Sequence, residues 1–185
     1  MQKKIFLIIL LSILSFGPLL AQLKVGLKGG AVLSTLRRDA SLNLNGGTLG
    51  YLAGIMVKKN MGELGWFFQP ELQYVYLGDG DQKLSFVKIP LIIGFDVSDD
   101  VNIHIGYQPG WLVGASNDAK DSYKSMNHEI SLGMDFMAGN KVLLGLRVNY
   151  GLTNLVEDPK EVKNYEVTTF TVDIYMAFLL FDSER

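Results

Sequence analysis

Seventeen basic and nineteen acidic side chains in 185 residues leave a net charge of −2, and the charges are scattered, so nothing marks a nucleic-acid partner. The length suits one domain, and the absence of cysteine excludes disulfides and thiolate metal sites. Twenty glycines, eight tyrosines and ten phenylalanines favour an all-β chain.

The chain opens MQKKIFLIILLSILSFGPLLAQ, with Lys3 and Lys4 ahead of an apolar run from Ile5 to Phe16, then a Gly17-Pro18 break before Ala21. That order predicts a secretory signal peptide over residues 1–21, with residues 22–185 as the mature domain. The run is short for a spanning helix, which needs about 20 apolar residues to cross about 30 Å.

Eight segments of alternating character follow. Leu23-Val25-Leu27 opposes Lys24-Gly26-Lys28, and Leu49 to Val57 in steps of two opposes Gly50 to Lys58. In the third, WFFQPELQYVYLG, the set Trp66, Phe68, Leu72, Tyr74, Tyr76 opposes Gln69, Glu71, Gln73. The fourth sets Val87 to Phe95 against Phe86, Lys88, Pro90 and Asp96, and the fifth sets Val101 to Val113 against Asn102, His104 and Gln108. The last three oppose Ile130-Leu132-Met134-Phe136 to Glu129-Ser131-Asp135, Val142 to Tyr150 to Arg147-Asn149, and Phe170 to Phe178 to Thr171-Asp173-Tyr175. Period two predicts strands with two unlike faces. The segments approach the about 9–11 residues of a tilted transmembrane strand, longer than the about 5–6 of a soluble one.

Nearly every connection after an odd segment is the longer one: residues 34–47, 114–127 and 152–167 are long, and 79–83 is short to moderate. Those after even segments, 59–63, 97–100 and Gly139-Asn140, are tight. Outer-membrane barrels sort their loops this way, with short periplasmic turns and longer external loops. The expected fold is therefore all-β, an eight-stranded antiparallel up-and-down transmembrane β-barrel, closed so that every backbone group is paired.

Alternation alone also allows the inside-out case, a soluble barrel with an apolar cavity. In the membrane case the apolar face meets lipid, and the interior receives an expected network of Lys24, Lys28, Lys88 and Arg147 with Glu71, Glu129, Asp135 and Asp173. Trp66 would sit at one lipid interface, with Tyr74, Tyr76, Tyr107, Trp111 and Tyr150 at the other. Side chains nearly fill an eight-stranded lumen, and balanced charges there argue against an ion-selective pore.

Chemistry-bearing patterns are sparse. His104 and His128, on neighbouring segments, are placed to approach each other, but His128 and Glu129 point oppositely in a strand. Ser125 and Ser131 lack a His and carboxylate at strand spacing. Asp79-Gly80-Asp81 starts like a calcium loop without its remainder, and Gly29-Gly30 precedes no helix. No catalytic residue, metal or cofactor is expected. Arg37-Arg38-Asp39 and Asp118 to Lys124 are charged loop tips suited to solvation or to phosphate or partner contact.

FFQPELQYVY, SFVKIPLIIGF, IHIGYQPGWLVGA and LLGLRVNYGLTNL, after LKVGLKGGAVLSTL and a leader ending in Ala-Gln, together resemble the outer-membrane β-barrel "porin family" proteins of Bacteroidetes. The resemblance spans nearly the whole mature chain. It implies a barrel in the outer membrane of a Gram-negative bacterium, with outer-membrane lipid, lipopolysaccharide and the barrel-assembly machinery as partners. One departure is the C-terminus, where Phe181 is followed by Asp182-Ser183-Glu184-Arg185 rather than closing on an aromatic. The leading functional expectation is a non-enzymatic barrel with a structural or surface-binding role, meeting an external protein or ligand at loops 34–47, 114–127 and 152–167. The alternatives are a narrow channel for small solutes and a soluble exported barrel holding a lipophilic ligand.

Overall fold

A computed structural model describes residues 23–38, 47–62, 64–79, 82–115, 124–155 and 167–183. The predicted signal peptide, residues 1–21, lies outside these, as does most of the predicted loops. The strands are β1 (Leu23–Arg38), β2 (Thr48–Asn60), β3 (Trp66–Asp79), β4 (Gln82–Lys88), β5 (Leu91–Asp96), β6 (Val101–Ala115), β7 (Met126–Ala138), β8 (Val142–Gly151) and β9 (Val167–Asp182).

Strands consecutive in sequence pair antiparallel, except β4 with β5, and β1 also pairs with β9, which closes the sheet. β4 and β5 occupy one place, between β3 and β6. The barrel is thus eight-stranded, with its fourth strand broken at Ile89-Pro90 rather than continuous as the alternation predicts. Proline has no N–H to give to a ladder. The ladder survives the break because the Glu71 amide donates to the Pro90 carbonyl at 2.9 Å and the Ile89 amide to the Pro109 carbonyl at 2.9 Å.

Burial alternates along every strand. On β6, Asn102, His104 and Gln108 are buried while Ile103, Ile105 and Tyr107 are exposed. The outward face is apolar: Ile105 and Leu132 are each 63% exposed and Ile174 57%. The inside-out arrangement is not the one adopted.

Connections at one end are short, and Gly62, Gly65 and Gly139 take φ of 76°, 78° and 74° there, values that only glycine adopts without strain. The opposite end carries the long connections, but they are shorter than predicted. Residues 34–38, 114–115 and 126–127 lie in strands. β1 and β9 stay in register out to Arg38 opposite Val167, because a ladder continues on backbone pairing after the outward positions cease to be apolar. At the same end β3 stops at Asp79 and β4 starts at Gln82, in keeping with the short to moderate connection expected over residues 79–83.

The interior is not polar throughout, as the face assignment would have it. Towards the loop end it is closed by Leu52, Val75, Leu77, Leu84, Phe86 and Leu112, with Leu155 folded in from beyond β8. Towards the turn end Met56, Phe67, Leu143, Ala177 and Leu179 are buried. Met56, Leu143 and Ala177 belong to the same packed cluster as the loop-end residues, and the buried polar groups share the interior with it.

Candidate functional site

Glu71 is the hub of the lumen. It projects inward from the middle of β3, between Gln69 and Gln73 on the same face. Arg147 from β8 reaches it with Nη2 at 2.8 Å from Oε1 and Nη1 at 3.1 Å from Oε2. Lys28 from β1 places Nζ 3.1 Å from Oε2. Gln69 donates to Oε1 at 2.6 Å, and Gln73 donates to Oε2. A fork-to-fork guanidinium–carboxylate pair is the strongest ordinary ion-pair geometry, and all three charged side chains are fully enclosed. The Tyr175 ring lies 3.4 Å beneath Lys28 Nζ, adding a cation–π contact.

Three smaller groups flank the hub. Lys88 and Glu129 pair at 2.6 Å, and Glu129 also accepts from Asn127 at 2.8 Å and Thr169 at 3.0 Å. Asp173 accepts from Asn149 at 2.8 Å, and Asn149 accepts from Gln108 at 2.7 Å. Asp135 accepts from the Tyr175 hydroxyl at 2.5 Å, with His104 Nε2 3.3 Å from that hydroxyl and 3.6 Å from Asp135 Oδ2.

Seven of the eight predicted network residues therefore face the lumen: Lys28, Glu71, Lys88, Glu129, Asp135, Arg147 and Asp173. Lys24 does not join them. It stands at the first turn-end residues of β1, 3.9 Å from Asp182 and partly exposed, because the strand end lies at the rim. The central layer thus sets three lysine and arginine charges against four carboxylates, and Asp135 is held by a phenol and an imidazole instead of a lysine or arginine. Sequence reasoning left Lys58 and Asp96 out of the network, yet they pair at 2.8 Å, with Lys58 Nζ 3.8 Å from the Phe67 ring centroid. Tyr175 and His104 were legible from parity alone, since both fall on the inward set.

His104 and His128 are not brought together. His104 is inside, while His128 faces outward and stacks on Tyr107, rings 5.8 Å apart and 14° from parallel. One residue of difference in parity puts them on opposite sides of the sheet. Among the described residues no group of three or more His, Asp or Glu is arranged to hold a metal.

The lipid-interface aromatics all point outward. Trp66 lies at the turn end, edge-on to Phe95 at 5.5 Å. Tyr74 and Tyr76 gather with Tyr51 towards the loop end, Tyr51 and Tyr76 stacking at 5.1 Å. Tyr107, Trp111 and Tyr150 are each about two-fifths exposed.

Tyr175 fits only because Gly145 faces it across the β8–β9 pair. A Cβ on Gly145 would come within 2.2 Å of the Tyr175 ring and 2.4 Å of Asp135 Oδ1. Gly145→Ala is expected to destabilise the barrel by about 1–3 kcal/mol through overpacking. The check is the temperature at which the compact electrophoretic band converts to the unfolded one. An unchanged temperature would show that the ring has room to move.

None of the curated proteins matches the chain in sequence. Among solved structures, Ail, the attachment invasion locus protein of Yersinia pestis, superposes with a TM-score of 0.51 at 10% identity, covering 85% of this chain and 98% of Ail. Ail in complex with the heparin analogue sucrose octasulfate gives 0.51 at 13% identity, covering 86% and 99%. Neisserial surface protein A gives 0.49 at 14% identity, covering 85% and 97%. At such identities the Ail likeness is one of fold. The family described as outer membrane protein beta-barrel domain matches residues 18–157. With a closed eight-stranded sheet, an apolar exterior and an interior that holds buried ion pairs, the chain belongs to that outer-membrane β-barrel family.

Proposed function

We propose that this protein is a non-enzymatic outer-membrane scaffold whose role, structural or surface-binding, is carried by its external loops. The observation that carries this reading is the sealed lumen. The Glu71–Arg147–Lys28 cluster spans the interior from β1 and β3 to β8, and the buried apolar cluster that includes Leu77, Leu84, Leu112 and Leu155 packs the interior towards the loop end. A solute would have to displace a buried ion cluster that gains nothing comparable in exchange.

Function then falls to the rim, where loops on a rigid scaffold usually carry binding. The bases of two of the long loops are tied to one another. The Lys124 amide donates to the Leu155 carbonyl at 2.7 Å, and the Leu152 amide to the His128 carbonyl at 2.7 Å. The sulfated ligand of the Ail complex is not carried over, since residues 152–167 hold Glu157, Asp158, Glu161 and Glu166 against Lys160 and Lys163. The QPEL and KIP motifs and the Ala-Gln leader place the chain, in this reading, among the exported Bacteroidetes "porin family" barrels, with residues 1–21 removed as a signal peptide.

The test is conductance. The purified protein in a planar bilayer is expected to give no steps, and Glu71→Ala none of porin size. Regular unitary steps from the unmodified protein would favour the narrow-channel alternative. Cell fractionation, with recovery in the outer membrane as a band that shifts on boiling, tests the location independently.

A further inference from the structure

The lipid-facing surface is not evenly filled. Between β5 and β8 it carries an open groove of about 800 Å³. Ile93, Ile105, Leu132 and Val148 form its walls, and Tyr107 and Tyr150 stand at its external end. Gly106 and Ser131 make the floor, because they are cross-strand partners whose side positions turn to the lumen and leave bare backbone outside. The volume falls within the ~300–1,000 Å³ of sites that take a single small ligand.

The external end of the groove is polar and fixed. Tyr107 belongs both to the groove and to the stacked pair with His128. Its hydroxyl lies 2.5 Å from His128 Nδ1, and the His128 amide donates to Thr153 Oγ1 at 3.0 Å. In the tautomer with hydrogen on Nε2, Nδ1 accepts from the phenol and Nε2–H is left as a donor, at the level where aromatic side chains meet headgroups.

We propose that this groove is a specific lipid site. It seats one acyl chain of an outer-leaflet lipid bearing a phosphorylated headgroup, and His128 Nε2–H donates to that headgroup. The occupant follows from position: the groove is continuous with the lipid-facing band, so an acyl chain is what lies against it. The Tyr107–His128 pair at its rim distinguishes it from the rest of that band, and its greater volume from the groove beside Met134, Leu146 and Ile174.

The test is native mass spectrometry of the folded full-length barrel released from detergent, with dimyristoyl phosphatidylglycerol as probe and dimyristoylglycerol as its headgroup-free counterpart. The unmodified barrel is expected to retain one phosphatidylglycerol. Leu132→Trp, which fills the groove, should lower retention at least tenfold, and Leu27→Trp, on the exposed face of β1, should not. His128→Phe keeps the stacked ring and should lower retention of the phosphatidylglycerol several-fold while leaving dimyristoylglycerol unchanged. Val148→Trp replaces Leu132→Trp if the latter fails to give the heat-modifiable band. Equal retention by the groove-filled and unmodified barrels would overturn the site. So would a protein dimer in place of a lipid adduct. Indifference to His128→Phe would overturn the headgroup contact.

Discussion

Glu71→Ala is expected to lower the unfolding free energy of the barrel by about 3–5 kcal/mol, the usual loss when one partner is removed from a buried ion pair. The cost arises less from lost attraction than from what remains. The Arg147 charge would be left inside the lumen without the carboxylate that it and Lys28 both contact, and Gln69 and Gln73 would each lose an acceptor. The measurement is urea titration of the protein folded into phospholipid vesicles. Replacing all three charged members together, Lys28→Met, Glu71→Leu and Arg147→Met, should cost less than Glu71→Ala alone, because apolar side chains of similar size often serve as well as a buried pair. A loss under about 1 kcal/mol for Glu71→Ala would mean that water reaches and solvates the cations, and the sealed-lumen reading would fail with it.

Arginine at Ile105 or Leu144 is expected to cost about 2–4 kcal/mol in a bilayer if these positions lie near its midplane. Both side chains point outward, Ile105 between Ile103 and Tyr107 and Leu144 between Val142 and Leu146. In a water-soluble barrel the same changes at exposed positions would be nearly neutral. The discriminating experiment compares folding yield into vesicles for these variants with that of Lys141→Arg, on the exposed turn before β8. Full tolerance at both outward sites would contradict the lipid-facing assignment.

Much of this fold is readable from period-two alternation, because in a strand the parity of a residue fixes its side. Gln69, Glu71 and Gln73 fall inward and Phe68, Leu72 and Tyr74 outward by parity alone. What parity cannot supply is depth. Lys24 and Lys28 share a face, yet one is at the rim and the other in the central cluster, since depth depends on where the strand begins. Nor does parity distinguish an inward apolar residue that plugs the lumen from a fault in the pattern, so Leu52, Phe86 and Leu143 carried no message until the barrel closed. The break at Ile89-Pro90 had a clear local cause, but the rescue by Glu71 and Pro109 comes from the neighbouring strands. Partner choice within the network was likewise hidden. Arg147 meets Glu71 across 76 positions of sequence, and only closure of β1 on β9 sets that distance.

The alternation has a consequence for how the chain meets lipid. A segment such as Val101–Ala115 holds its apolar residues at every second position. Coiled into an α-helix, the same residues would scatter around the whole circumference, interleaved with polar ones. No helix among the described residues is long and apolar enough to cross a membrane. Taken singly, such segments thus present no continuous apolar face in helical form. Their affinity for lipid comes into existence only once neighbours pair and the outward set becomes a continuous band. The outward band is therefore a property of the closed sheet and not of any one strand.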